Sequence, residues 1–244
     1  MTRAATIARR DLAALFVSPA GWIVAAVFVL VTSAFGFVPL VLIGGQAGMA
    51  GVFGVITSFL LPVLVPVLTM RVFAEEQSQG TLELLLTAPV RDWEVAVGKW
   101  LGAFTFYVLL LATTLAYVVV LAAYVPGHAA SLDLGLVSAN YIGLLLVGAA
   151  ATAIGVLASS LTGSQVVAFF IALAALLATW YSGSLLGALT QPPVSGLFQY
   201  AGGFDRFQSF SLGEVTVRDA VYFLSLAAAA LFLATRVLDS RRWR

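Results

Sequence analysis

LAALFVSPAGWIVAAVFVLVTSAFGFVPLVLIGGQAGMAGVFGVITSFLLPVLVPVLTM, residues 12–70, runs for 59 residues without a single charged side chain. A helix crossing the hydrocarbon core of a bilayer takes about 20 apolar residues, so this stretch holds two crossings. Working outward, residues 100–127, 134–204 and 220–235 are also free of Asp, Glu, Lys and Arg. They hold one, two and one crossing by the same measure. The 244-residue chain is 61% hydrophobic and 9% charged, where a soluble domain carries about 25% charge. These features predict an all-α membrane protein with six transmembrane helices, and they exclude a soluble globular domain.

The predicted spans are 21–43, 50–70, 100–124, 137–159, 164–188 and 219–236. Ahead of them, residues 3–17 read as an amphipathic helix. Arg3, Arg9, Arg10 and Asp11 alternate with Ile7, Leu12, Leu15 and Phe16. Pro19 disfavours helix at Ser18, which predicts an interfacial helix over residues 1–20 that turns into the first span. The apolar run from Leu12 to Ile43 is longer than a signal-peptide core. Pro62 and Pro66 remove backbone donors and should bend the second span.

Basic residues near the spans favour the cytoplasm. Arg3, Arg9, Arg10, Arg71, Arg91, Lys99, Arg236, Arg241, Arg242 and Arg244 fall on one side, against Arg206 and Arg218 on the other. Both termini and the polar segment 71–99 are therefore expected in the cytoplasm, with 125–136 and 190–217 facing outward.

Chemistry is hard to place in this sequence. The cores of the spans carry no ionisable groups that would mark an ion pathway. Thr57, Ser58, Thr113, Thr114, Thr152, Thr179 and Asn140 are expected to bond within or between helices. With one His and no Cys, neither a metal site nor a thiolate nucleophile is expected, and no base stands near Ser182 for hydrolysis. Gly98-Lys99 resembles the end of a phosphate-binding loop, but Trp93 and Trp100 occupy positions where that loop needs Gly and Ser or Thr. Lys99 reads instead as a cytoplasmic anchor beside an interfacial Trp. A net charge of +1 gives no reason to expect nucleic acid as a partner. The row Ala151, Gly155 and Ser159 allows close helix approach, either within the chain or across a dimer.

The segment 71–99 is the informative piece. Leu82, Leu85 and Leu86 form one apolar stripe, Glu83 lies on another face, and Pro89 ends the helix. Asp92 can cap the next helix, with Glu94 in its first turn. Residue chemistry alone fits two readings equally: a short helix that docks on a partner, or a solvated loop whose leucines lie on the bilayer.

Phe73-Ala74-Glu75-Glu76, Gly80-Thr81-Leu82-Glu83-Leu84-Leu85-Leu86-Thr87-Ala88-Pro89-Val90, Trp93-Glu94 and Gly98-Lys99 resemble the segment between spans two and three of type-2 ABC transporter permeases. The C-terminal Phe204, Phe207, Ser209-Phe210-Ser211, Gly213, Arg218-Asp219, Tyr222-Phe223 and Ser240-Arg241-Arg242-Trp243 most resemble the gliding-motility-associated and nitrous-oxide-reductase-maturation permeases.

The resemblance implies a six-span permease domain over 21–244 in the bacterial inner membrane. It implies a coupling helix that contacts ABC ATPase subunits through Glu75, Glu76, Gly80, Thr81, Leu82, Glu83, Leu85 and Leu86. It also implies an interface helix bearing Arg9, Arg10, Asp11 and Phe16, and an outer re-entrant element with Phe204, Phe207, Phe210 and Glu214. The implied partners are two ATPases, a second permease chain (identical or different), membrane lipid and a periplasmic or envelope accessory protein. ATP with Mg would bind the ATPase, and this chain would carry no cofactor and no catalytic residue. Two functions fit: the membrane subunit of an exporter, or a scaffold through which an ATPase does mechanical work on an envelope partner without transport.

Overall fold

The computed structural model describes residues 3–39, 48–81, 91–124, 133–186 and 202–242. Among these residues all regular structure is helical. The elements are α1 (Arg3–Val17), α2 (Pro19–Val31), α3 (Ala50–Val55), α4 (Leu61–Thr69), α5 (Ala74–Ser78), α6 (Asp92–Thr113), α7 (Leu115–Tyr124), α8 (Leu134–Leu161), α9 (Gln165–Tyr181), α10 (Gly203–Ser211) and α11 (Val217–Arg242). Three π-helical turns, Thr32–Phe37, Ile56–Leu60 and Ser182–Leu186, extend or join them. Six apolar stretches are long enough to cross a bilayer, as the charge-free stretches require. A helix satisfies its own backbone groups, which hydrocarbon cannot do.

The first crossing opens as the sequence suggests. Ser18 is the N-cap of α2, its hydroxyl accepting from the Ala20 N–H at 3.2 Å, with Pro19 in the first turn. The second crossing shows what its prolines do. The helix widens into the π-helical turn Ile56–Leu60 just before Pro62. Pro62 has no N–H for the Ser58 carbonyl one turn back. The Tyr181 hydroxyl, from α9, donates to that carbonyl at 3.4 Å.

α8 is the central post, with 78% of its apolar window buried, against 22% for the first crossing. It spans roughly 42 Å at 1.5 Å per residue. Its small residues let neighbours close in. A Cβ at Gly148 would collide with the Tyr107 ring, and one at Gly155 with Thr69. Ala151, Gly155 and Ser159 are all buried within this chain, so their row packs internally. The polar residues of the crossings bond as expected. Thr57 donates to Phe53 O (2.9 Å), Thr179 to Ala175 O (2.9 Å) and Thr152 to Gly148 O (2.7 Å). Thr114 pairs with the Tyr141 hydroxyl across helices at 2.8 Å.

The bundle has two distinct ends. At one end a buried cluster joins Ile7 of α1, Phe73, Val95 and Ala96 of α6, Val156 of α8 and Leu238 of α11. The N-terminal helix and the end of α11 therefore sit at the same end. At the other end α10 packs against the start of α8, with the Asn140 amide donating to Phe210 O at 3.1 Å.

Candidate functional site at the base of the bundle

The charged residues that the crossings exclude collect at the end carrying α1. Two glycines one turn apart, Gly98 and Gly102, let α1 press against α6. A Cβ at Gly98 would stand 2.8 Å from Ala4 O, and one at Gly102 3.2 Å from Ala8 O. Ala4 and Ala8 thus follow Gly98 and Gly102 in the same direction, and Phe16 continues the contact on Phe106 (ring centroids 5.4 Å). This close approach brings Asp11 to Lys99.

The Lys99 ammonium is 3% exposed. It donates to Asp11 Oδ2 at 3.2 Å and Glu76 Oε1 at 2.8 Å, and lies 5.2 Å from the centre of the Phe73 ring. Arg10 completes the cluster, donating to Glu76 Oε1 at 3.3 Å and to Asp11 Oδ1 at 3.0 Å. A buried ammonium is costly unless paired, and here two carboxylates and an aromatic face hold it. This corrects the reading of Lys99 as a cytoplasmic anchor beside an interfacial Trp: it is buried, and it ties α1, the chain after the second crossing, and the base of α6 into one unit.

Ser159 of α8 adds a second tie. Its hydroxyl accepts from the N–H groups of Phe73 (2.9 Å) and Ala74 (3.1 Å) and donates to Met70 O at 3.1 Å. It thereby satisfies the start of α5, whose first donors have no partner inside the helix. Gln77 donates to Ser160 O at 3.1 Å. Gly80 follows with φ +70°, a backbone that residues with a Cβ rarely adopt. The N-cap of α6 is Arg91 rather than Asp92. The Arg91 N–H donates to the Glu94 carboxylate at 3.0 Å, and Asp92 is already in the first turn.

Of the residues expected at a coupling helix, Glu75, Glu76, Gly80 and Thr81 are described, and Leu82, Glu83, Leu85 and Leu86 lie outside the described residues. Glu76 turns inward to Lys99, while Glu75 and Thr81 keep solvent access. On α1, Arg9 is exposed and Phe16 meets Trp22 edge to face (6.4 Å).

At the opposite end, α10 is anchored by aromatic contacts. Phe204 stacks on Tyr181 (6.2 Å), Phe207 meets Trp180 (6.0 Å), and Phe210 is fully buried against Gly143. Glu214 is exposed beyond the helix end. A buried pair missed in the sequence locks this element. Arg206 donates to Asp219 Oδ1 at 2.9 Å, Thr216 donates to Asp219 Oδ2 at 2.6 Å, and the guanidinium lies 4.3 Å from the Tyr222 ring centre. Opposite charges flanking a Gly213-Glu214 turn were the signal available in the sequence. An uncharged cavity of about 240 Å³ lies between this element and the second crossing, lined by Thr57, Ser58, Asn140, Phe207, Gln208 and Ser211 among others.

Six apolar helices with a charged, tied-down base make this a multi-pass membrane protein whose ionisable chemistry is confined to its ends. A family profile described as "ABC-2 family transporter protein" matches residues 5–236. The chain belongs to the ABC-2 transporter family: it is of the permease type that forms the membrane subunit of an ABC transporter, and membership implies association with ABC ATPase subunits. Among curated proteins, none matches the chain.

Proposed function

We propose that the chain is one permease half of an ATP-driven exporter in a bacterial inner membrane. It pairs with a second permease chain and two ATPase subunits, and its termini and segment 71–99 face the cytoplasm. The ATPases bind ATP with Mg and hydrolyse it; segment 75–88, which starts within α5 and turns at Gly80, is the part that they push.

The observation that carries this reading is the Lys99 cluster. Displacement of a segment coupled only to solvent would be lost in loop motion. This segment leaves a turn pinned to Ser159 of α8 and, through Glu76 and Lys99, to α1 and α6. A force applied to residues 80–88 therefore reaches three helices at once, which is what switching between two packed states requires. Uncharged crossings and the neutral outer cavity suit a neutral or amphipathic cargo, since a charged one would need compensating groups.

The test is pull-down of a co-expressed ATPase at two salt concentrations. Leu82→Ala with Leu85→Ala removes apolar contact worth about 1.5–3 kcal/mol for each fully buried side chain. Glu83→Lys puts the wrong sign against a basic groove rim. Both variants should weaken copurification and ATPase stimulation, and only the charge reversal should respond to salt. Glu76 is left unaltered because it pairs inside the chain. Intact copurification in the triple variant would overturn the coupling role. Retained ATPase stimulation without cargo movement in vesicles would favour the mechanical scaffold.

A further inference from the structure

The base of the bundle also contains a cavity of about 470 Å³, between α1, α2, the end of α4 and the start of α6. That volume is within the range of small-molecule sites. One wall is apolar, with Ala14, Leu15, Val24, Leu68 and Ala103. The other carries Arg10, Arg71 and Lys99 against Asp11, Glu75 and Glu76, so cations and carboxylates balance.

Not all of these charges are paired within the chain. Arg10 and Lys99 are held by Asp11 and Glu76. Arg71 and Glu75 are one helical turn apart, the Glu75 N–H donating to Arg71 O at 3.4 Å. Yet among the described residues neither side chain makes an ion pair. Glu76 Oε2 is buried and has no hydrogen-bond partner. A buried carboxylate oxygen without a donor is unfavourable. The cavity thus offers one open cation in Arg71, one open carboxylate beside it in Glu75, and an apolar wall. Ser18, Ala20 and Gly21 line its edge, and their chain neighbours Val17 and Trp22 are exposed, an apolar surface on which acyl chains can lie.

We propose that this cavity seats an aminophospholipid, of which phosphatidylethanolamine is the simplest case. Its phosphate lies on Arg71, its ammonium donates to Glu75, and its acyl chains leave along the apolar wall. A choline headgroup carries no N–H to give that carboxylate. A glycerol headgroup brings an anion alone, which Glu75 and Glu76 repel. This inference stands apart from the coupling reading, because it needs neither ATPase nor cargo.

The experiment is native mass spectrometry of the full chain, delipidated in detergent and titrated with dioleoyl phosphatidylethanolamine, phosphatidylcholine or phosphatidylglycerol. The ethanolamine lipid should bind about tenfold more tightly than either other lipid, the equivalent of one charge-assisted hydrogen bond. Glu75→Gln should reduce it to the level of the choline lipid while leaving the choline lipid unchanged. Arg71→Ala should weaken both. Neither residue makes an ion pair among the described residues, so helix content and melting should be unaltered. Equal binding of the three lipids, or a preference that survives Glu75→Gln, would overturn the proposal. Displacement of the lipid by soluble phosphoethanolamine would also overturn it, because the site would then read a free zwitterion.

Discussion

Lys99 is a cation with 3% exposure held by two carboxylates that are each about a fifth exposed. Replacing it with Met removes the buried cation and leaves Asp11 and Glu76 facing each other with only the exposed Arg10 as a partner. Breaking a buried pair from one side costs about 3–5 kcal/mol, and partial exposure of the carboxylates reduces this to about 2–3. Replacing both ends is expected to be milder, since two neutral groups need no compensation. Thermal melting in detergent should rank Lys99→Met well below Lys99→Met with Glu76→Gln. Equal melting of the two variants would mean that no coupling exists between Lys99 and Glu76. Arg206 and Asp219 pose the same problem at the other end, and there Thr216 and Tyr222 share the work of keeping the pair satisfied.

Among the elements, the short turn from Met70 to Gly80 depends most on a single outside group. Ser159 accepts two backbone donors at the start of α5 and returns a bond to Met70 O. Ser159→Ala leaves those groups unmet, at a cost of about 1–3 kcal/mol. The change is local, because Ser159 touches one turn of one neighbour. Hydrogen exchange should speed up at the amides of Phe73 and Ala74 while those of α8 and α11 keep their protection. If Phe73 and Ala74 exchange as in the wild type, the turn is held by the Lys99 cluster alone. The glycine pair Gly98 and Gly102 acts at the same scale: without it α1 could not approach α6 closely enough for Asp11 to reach Lys99.

For the whole molecule, six crossings bring α1 and the end of α11 to one face, where Ile7 and Leu238 share a buried cluster. The proposed orientation, which rests on the ten-to-two bias of basic residues, puts that face in the cytoplasm. Cysteines introduced into this Cys-free chain test the assignment. Those at Gly45, His128 and the exposed Glu214 should react with an impermeant reagent from outside the cell, and those at Thr2, Ser78 and Arg244 should not. Labelling of Ser78 from outside would invert the orientation and remove the coupling segment from any cytoplasmic ATPase.

The sequence by itself determined the number of crossings and their helical nature. Both follow from local composition: a crossing needs its apolar length whatever surrounds it, and its backbone must bond within itself. The break at Ser18-Pro19 and the distortion before Pro62 were legible for the same reason, since proline acts on its immediate neighbours. Tertiary structure alone decided the fate of Lys99, which was read as an anchor and is a buried hub. Its partners Asp11 and Glu76 lie 88 and 23 residues away. No periodicity links such positions; only the meeting of α1, α5 and α6 does. The row Ala151, Gly155 and Ser159 was equally open in sequence, because a small residue permits close approach without naming the neighbour. The fold supplied Thr69 and Phe73 as neighbours, and so turned a permissive surface into the tie that fixes the base of the bundle.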